Sequence, residues 1–210
     1  MRTRTKICGL TRVDDVKAAV EAGADAIGLV FYPSSPRAVD IEQAVKLCAV
    51  VPPFVSIVGL FVNASTSHVQ DVLSAMPISL LQFHGEEEAA YCESFGRAYL
   101  KAARVRQGFD LLDYAARYPS ACGLLVDAWV DGYGGGGHAF DWRLLPSRFD
   151  RPLVLAGGLT PENVGEAIRL VRPWAVDVSS GVELSKGVKD RALINAFIAG
   201  VRDADGRKNQ

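Results

Sequence analysis

Two residues at the ends of apolar runs could move protons. Asp127 closes Gly123-Leu124-Leu125-Val126-Asp127. A carboxylate there faces a partly desolvated pocket and suits a general acid. Cys8 closes a shorter run in Lys6-Ile7-Cys8-Gly9-Leu10-Thr11. A lone cysteine in such a place is either a small packed hydrophobe or a functional thiol, and position alone leaves both open. Two further segments could hold an anion: Ala156-Gly157-Gly158-Leu159-Thr160-Pro161 and Ser179-Ser180-Gly181. Paired glycines let backbone N–H groups approach a phosphate closely, and the serines add hydroxyls. Arg37, in a Pro-flanked loop, and Gln82, His84 and Asp177, at or just past other apolar runs, complete the polar set.

Those runs are the strands that must position these groups. Short apolar segments alternate with amphipathic ones from end to end. Strands are expected at 5–8, 26–31, 55–62, 79–83, 99–103, 123–127, 153–156 and 175–178. Helices are expected at 12–22, 41–50, 65–74, 86–95, 109–117, 161–171 and 190–202, with a short helical turn after Asp141. Val13, Val16, Ala19 and Val20 share one face of the first helix, and Gly23 closes it. Runs that are apolar throughout fit parallel strands covered on both faces. A doubly wound sheet and a closed barrel both fit the alternation. Eight strand–helix units favour an α/β fold of the (β/α)8 TIM barrel type, with residues 1–210 as one domain and a polar, frayed tail from about residue 203. In such a barrel the strand C-termini form the site face, which is where the polar groups fall.

The other candidates read as structure. Cys48, Cys92 and Cys122 are expected to be packing residues. His68, in mid-helix, and His138, in the Gly132–Gly137 loop, are expected at the surface, and three histidines at these spacings write no metal site. Glu86-Glu87-Glu88 opens a helix, where negative charge complements the dipole. The Gly132–Gly137 loop is either a lid or a long connection.

Composition excludes several classes. Lys and Arg total 23 against 24 Asp and Glu, a formal net charge of −1, so no bulk positive field exists for nucleic acid or anionic lipid. No C-x-x-C pair appears. No signal peptide is evident, and Val50–Val62, broken by Pro52-Pro53, is shorter than the ~20 residues a membrane span needs. A cytoplasmic protein with reduced thiols is expected.

Taken together, the segments resemble the phosphoribosylanthranilate isomerase family, (β/α)8 enzymes of tryptophan biosynthesis. The matching pieces are Lys6-Ile7-Cys8-Gly9-Leu10-Thr11, Gly28-Leu29-Val30-Phe31 with Ser35-Pro36-Arg37, and Leu81-Gln82-Phe83-His84-Gly85. They continue with Leu125-Val126-Asp127, Phe140-Asp141-Trp142, Ala156–Val164 and Asp177–Glu183. The resemblance implies an Amadori rearrangement of N-(5-phosphoribosyl)anthranilate to 1-(2-carboxyphenylamino)-1-deoxyribulose 5-phosphate. It implies no cofactor and no metal, a small phosphoribosyl substrate as partner, and a monomer or homodimer. By motif match Cys8 is the general base and Asp127 the general acid. Arg37 pairs with the anthranilate carboxylate, Gln82, His84 and Asp177 contact substrate, and Gly157, Gly158, Ser179, Ser180 and Gly181 hold the phosphate.

Two positions depart from the family pattern: Gly136 stands where Thr is usual, and Lys186 where Pro is frequent. Other phosphosugar barrels fit less well. The related ProFAR isomerase uses a pair of Asp residues, against Cys8 here, and indoleglycerol-phosphate synthase uses Lys and Glu at these strand ends. A non-catalytic phosphate-binding barrel is the alternative from another class. Retention of both proton-transfer groups argues against it.

Overall fold

The computed structural model describes residues 2–128, 141–146 and 148–206. The Gly132–Gly137 loop, with Gly136, and His138 lie outside the described residues.

Eight strands close in chain order into a parallel barrel: β1 (Arg4–Cys8), β2 (Ala26–Val30), β3 (Ser56–Phe61), β4 (Leu80–Phe83), β5 (Tyr99–Val105), β6 (Gly123–Ala128), β7 (Leu153–Leu155) and β8 (Ala175–Val178). The closing pair sets Lys6 of β1 opposite Asp177 of β8. Outside lie α1 (Val13–Ala22), α2 (Ile41–Cys48), α3 (Thr66–Ala75), α4 (Ala89–Glu93), α5 (Leu111–Ala116), α6 (Val164–Val171) and α7 (Arg191–Gly206). A 3-10 turn at Trp142–Leu144 follows β6. After β8 a small hairpin, β9 (Glu183–Ser185) and β10 (Val188–Lys189), folds back before α7.

Local chemistry sets several helix ends. Asp40, Ser65 and Asp110 each accept a backbone N–H in the first turn of the following helix, worth ~1 kcal/mol apiece. Gly23 ends α1 at φ 99° and donates its N–H to the carbonyls of Ala19 and Val20.

Because side chains alternate along a strand, the barrel has two cores. Ile7, Leu29, Phe61, Leu81, Phe83 and Leu124 point outward against the helices, while Leu100, Ala102, Leu125, Val154, Ala156 and Ala175 fill the barrel interior. Cys8, Val30, Leu60 and Val62 form a separate apolar group. Cys48 and Cys92 are buried as expected.

Several sequence expectations change here. Cys122 is exposed rather than packed, and its Sγ donates to the Tyr99 carbonyl at 3.0 Å. His68 is only half-exposed, edge-on to Phe31 and Phe61 at centroid distances of 6.4 and 6.2 Å. Residues 86–88 precede α4 instead of opening a longer helix. Glu87 turns inward, where its carboxylate accepts the N–H groups of Asn63 and Gly85 and pairs with the fully buried Lys101 at 3.0 Å. α6 begins at Val164 rather than Pro161, because Asn163 bonds back across the preceding turn. α7 continues through the region expected to fray. Asp205 accepts both the N–H and the hydroxyl of Thr3, tying the last helix to the first strand.

Among the described residues no helix is long and apolar enough to cross a membrane.

Candidate active site

The strand C-termini surround a pocket open to solvent. Ten of the eleven residues singled out from sequence line it: Cys8, Arg37, Gln82, His84, Asp127, Gly157, Gly158, Asp177, Ser179 and Ser180. Gly181 sits behind the lining. A Cβ built on it would stand 1.9 Å from the Leu159 carbonyl oxygen, so it is the contact that seats the loop after β8 on the loop after β7.

The thiol side is built on β1 and β2. Lys6 and Cys8 are two residues apart on one strand and therefore share its inner face. Lys6 Nζ lies 2.9 Å from Asp177 Oδ1, with both side chains buried. The same ammonium neighbours the Cys8 sulfur on that face, where its charge favours the thiolate. Gly28 makes room for them, since a Cβ there would stand 2.7 Å from Cys8 Sγ and 2.9 Å from Lys6 Nζ. Burial pushes the Cys8 thiol up, and the Asp177 charge adds to this; Lys6 and Lys189 pull it back, but the net direction is upward. Burial alone would lower Lys6, yet Asp177 and Cys8 hold it above its ordinary value.

The acid side is built on β4 and β6. Asp127 Oδ1 accepts the Ala128 N–H at 2.8 Å, and Oδ2 lies 3.3 Å from His84 Nε2. The Gln82 amide lies 3.0 Å from His84 Nδ1. With Gln82 donating there, the neutral imidazole carries its proton on Nε2 and presents it to Asp127. Gln82 Oε1 is buried with no partner among the described residues. Gly157, at φ 80°, backs the carboxylate: a Cβ would meet Asp127 Oδ1 and Ala128 N, each at 2.5 Å.

Arg37 lies between two loops. Its Nε and Nη2 donate to Glu183 Oε1 and Oε2, each at 2.8 Å. Lys189, also buried, donates to Glu183 Oε1 at 2.8 Å and to the Ser179 carbonyl at 3.0 Å. Burial alone would raise Glu183, but these hydrogen bonds hold it below the usual carboxylate range. One edge of the Arg37 fork is therefore already occupied, leaving Nη1 for a ligand. Gly9, at φ 72°, is where Arg37 passes: a Cβ would stand 2.5 Å from Arg37 Cδ and 3.0 Å from Ser179 Oγ.

The loop after β7 holds Gly157 and Gly158 at φ 80° and 66°, left-handed conformations that cost other residues ~1–2 kcal/mol. Asn163 clamps it, accepting the Thr160 N–H at 2.8 Å and donating to the Gly158 carbonyl at 2.9 Å.

Lys6, Gly9, Gly28, Asn163, Glu183 and Lys189 were not singled out from sequence. Lys6 had a legible signal, a charge two residues before Cys8 on a buried strand. Lys189 had none, because its place depends on the β9–β10 hairpin.

A closed parallel eight-stranded barrel with a thiol, a carboxylate and glycine- and serine-bearing loops at one mouth defines a (β/α)8 barrel enzyme. Comparison with known proteins narrows the class. The family model described as N-(5'phosphoribosyl)anthranilate (PRA) isomerase matches residues 5–200. N-(5'-phosphoribosyl)anthranilate isomerase of Dechloromonas aromatica is 61% identical over 205 residues, covering 98% of this chain and 99% of that one. The crystal structure of phosphoribosyl anthranilate isomerase from Thermotoga maritima is similar with a TM-score of 0.88 at 44% identity, covering 96% of this chain and 99% of that one. A further crystal structure of such an isomerase, in complex with reduced 1-(o-carboxyphenylamino)-1-deoxyribulose 5-phosphate, gives a TM-score of 0.82 at 39% identity, with coverage of 96% and 99%. The chain belongs to the phosphoribosylanthranilate isomerase family and is an isomerase of tryptophan biosynthesis.

Proposed function

We propose that Cys8 and Asp127 carry the Amadori rearrangement of N-(5-phosphoribosyl)anthranilate to 1-(2-carboxyphenylamino)-1-deoxyribulose 5-phosphate. The observation that carries the assignment is that a buried thiol from β1 and a carboxylate from β6 line one pocket, with the Gly157-Gly158 and Ser179-Ser180 loops beside them. Asp127 acts as the general acid and gives a proton to the ribose ring oxygen. The C1–O bond breaks as the anilino nitrogen lone pair forms the Schiff base. The Cys8 thiolate then takes the C2 proton, now acidified by the iminium, and the electron pair moves through C1 to nitrogen. The enaminol loses its C2 hydroxyl proton and gains one at C1. C2 is oxidised as C1 is reduced within one molecule, so the chemistry calls for no cofactor.

In the same reading Arg37 Nη1 holds the anthranilate carboxylate, with Glu183 fixing the fork. Gln82 and His84 orient the acid and face the ligand, and Asp177 Oδ2 faces the ribose hydroxyls. Amides of Gly157, Gly158 and Gly181 and the hydroxyls of Ser179 and Ser180 receive the phosphate. The whole chain acts as one domain, and a monomer or homodimer carries complete sites, since every group named comes from one chain. A base that must stay a free thiol suits the reducing cytoplasm.

The direct test supplies phosphoribosylanthranilate and follows loss of its fluorescence. Failure to turn it over would sink the assignment.

Two variants probe the ends of the ligand. Arg37→Ala should weaken binding of a product analogue bearing the carboxyphenylamino group at least tenfold more than binding of ribulose 5-phosphate. Equal weakening in a calorimetric titration would move Arg37 to the phosphate end. Gly181→Ala must displace the Leu159 carbonyl and part the two loops, so KM should rise tenfold or more with kcat changed less. Inorganic phosphate should also lose its competition with substrate. An unchanged KM would put the phosphate elsewhere. Gly157 is a poorer probe, because any side chain there strikes Asp127 as well.

A further inference from the structure

Three buried ammonium–carboxylate pairs stand out, Lys6–Asp177, Lys101–Glu87 and Lys189–Glu183, and they differ in what they satisfy. Lys189 and Glu183 bond the Ser179 carbonyl, the Gly187 N–H and the Arg37 fork. Lys101 and Glu87 between them bond the Gly85 carbonyl and the N–H groups of Asn63 and Gly85, so that pair organises backbone at the ends of β3 and β4. Lys6 and Asp177 do nothing of the kind: among the described residues neither side chain bonds a backbone group. Burying two charges in a barrel interior is costly, and well-packed apolar residues there are commonly as stable or more so. The fold alone therefore gives this pair no evident purpose.

Its placement supplies one. Lys6 lies two residues from Cys8 on β1, its ammonium bonded to Asp177 and lying beside the sulfur over Gly28. Gly28 keeps the space open where a methyl group would separate the ammonium from the sulfur. The other charges near the thiol are Lys189 on β10, Arg37 in the loop after β2, and Asp177 itself; Asp127 and His84 line the same pocket. Lys189 and Arg37 are both held by Glu183, whereas the Lys6 ammonium shares the space over Gly28 with the sulfur. We propose that Lys6, fixed by Asp177, is a positioning residue for the reaction: its ammonium stabilises the Cys8 thiolate that takes the C2 proton.

The inference rests on Cys8 being the base, so its test reads the thiol rather than turnover. The rate of Cys8 alkylation by iodoacetamide is followed against pH, with the Cys8 peptide quantified by mass spectrometry so that the exposed Cys122 does not contribute. Lys6→Met should move the midpoint upward by about one pH unit or more, a tenfold loss of thiolate at neutral pH. kcat/KM should fall about tenfold at neutral pH and recover as pH rises, with KM little changed. Lys6→Arg should keep the midpoint near that of the parent. Lys6→Met leaves Asp177 unpaired, so if the single variant does not fold, Lys6→Met/Asp177→Asn is compared with Asp177→Asn, because losing the Asp177 charge by itself moves the midpoint down. A midpoint no higher in Lys6→Met than in the parent, or no higher in the double variant than in Asp177→Asn, would overturn the proposal and leave the role of Cys8 standing. Conversely, a shifted midpoint beside a fully active Cys8→Ser variant would uphold the ammonium–thiolate contact and sink the base assignment.

Discussion

Cys8→Ser should lower kcat by ~10²- to 10⁴-fold while leaving KM within about threefold, the signature of a group that acts in the transition state rather than in binding. The substitution keeps the shape: the residue is 5% exposed among Val30, Leu60 and Val62, and a hydroxyl fits where the thiol sits. Thermal stability should therefore hardly change. What is lost is basicity, because a serine hydroxyl stays protonated at neutral pH. The pH profile gives a second reading. Burial pushes the Cys8 thiol up, so the thiolate is the minor form at neutral pH and its fraction grows as pH rises. kcat/KM should climb with pH through the thiol's own value, and that limb should vanish in the serine variant. Turnover within about threefold of the parent would assign the base to another group.

How far the sequence could be read depended on whether a feature was local. Runs apolar throughout placed all eight strands and the 3.6 period placed the helices between them, and the polar strand ends foretold the mouth because parallel strands all finish on one face. The groups the pattern could not show are those whose partners come from distant elements. Glu87 looked like a solvated helix-opening charge. Only the folded β3–β4–β5 corner makes it the partner of Lys101. Arg37 was legible as a fork for a carboxylate, but not as one already gripped by Glu183, 146 residues away. Gly9 and Gly28 look like ordinary turn or strand glycines until the space they leave is seen to hold Arg37 in one case and the Lys6–Cys8 contact in the other. Cys122 misled in the opposite direction, because a cysteine at a strand start is usually buried and this one is not.

Asp127→Asn should match the loss in Cys8→Ser, ~10²- to 10⁴-fold in kcat with KM little moved. The surroundings can accept an amide. Its oxygen can keep the Ala128 N–H, and its nitrogen then faces His84 Nε2. Two donors would meet there, but the Gln82 side chain can turn its unpartnered Oε1 toward Nδ1, which moves the imidazole proton to Nδ1 and leaves Nε2 free to accept. Geometry survives, and the proton for the ribose ring oxygen does not. His84→Asn, which disturbs the orientation of the acid but leaves the carboxyl in place, should cost less, about tenfold. The double variant Cys8→Ser/Asp127→Asn separates two mechanisms. If Asp127 opens the ring and Cys8 acts on the Schiff base afterwards, each substitution raises a different barrier. The overall rate then follows the higher one, and the double loss should be no greater than about that of the worse single variant. If both protons moved in one transition state the losses would multiply. Single-turnover kinetics on the three variants measures this directly, and a multiplicative loss would replace the stepwise Schiff-base route with a concerted one.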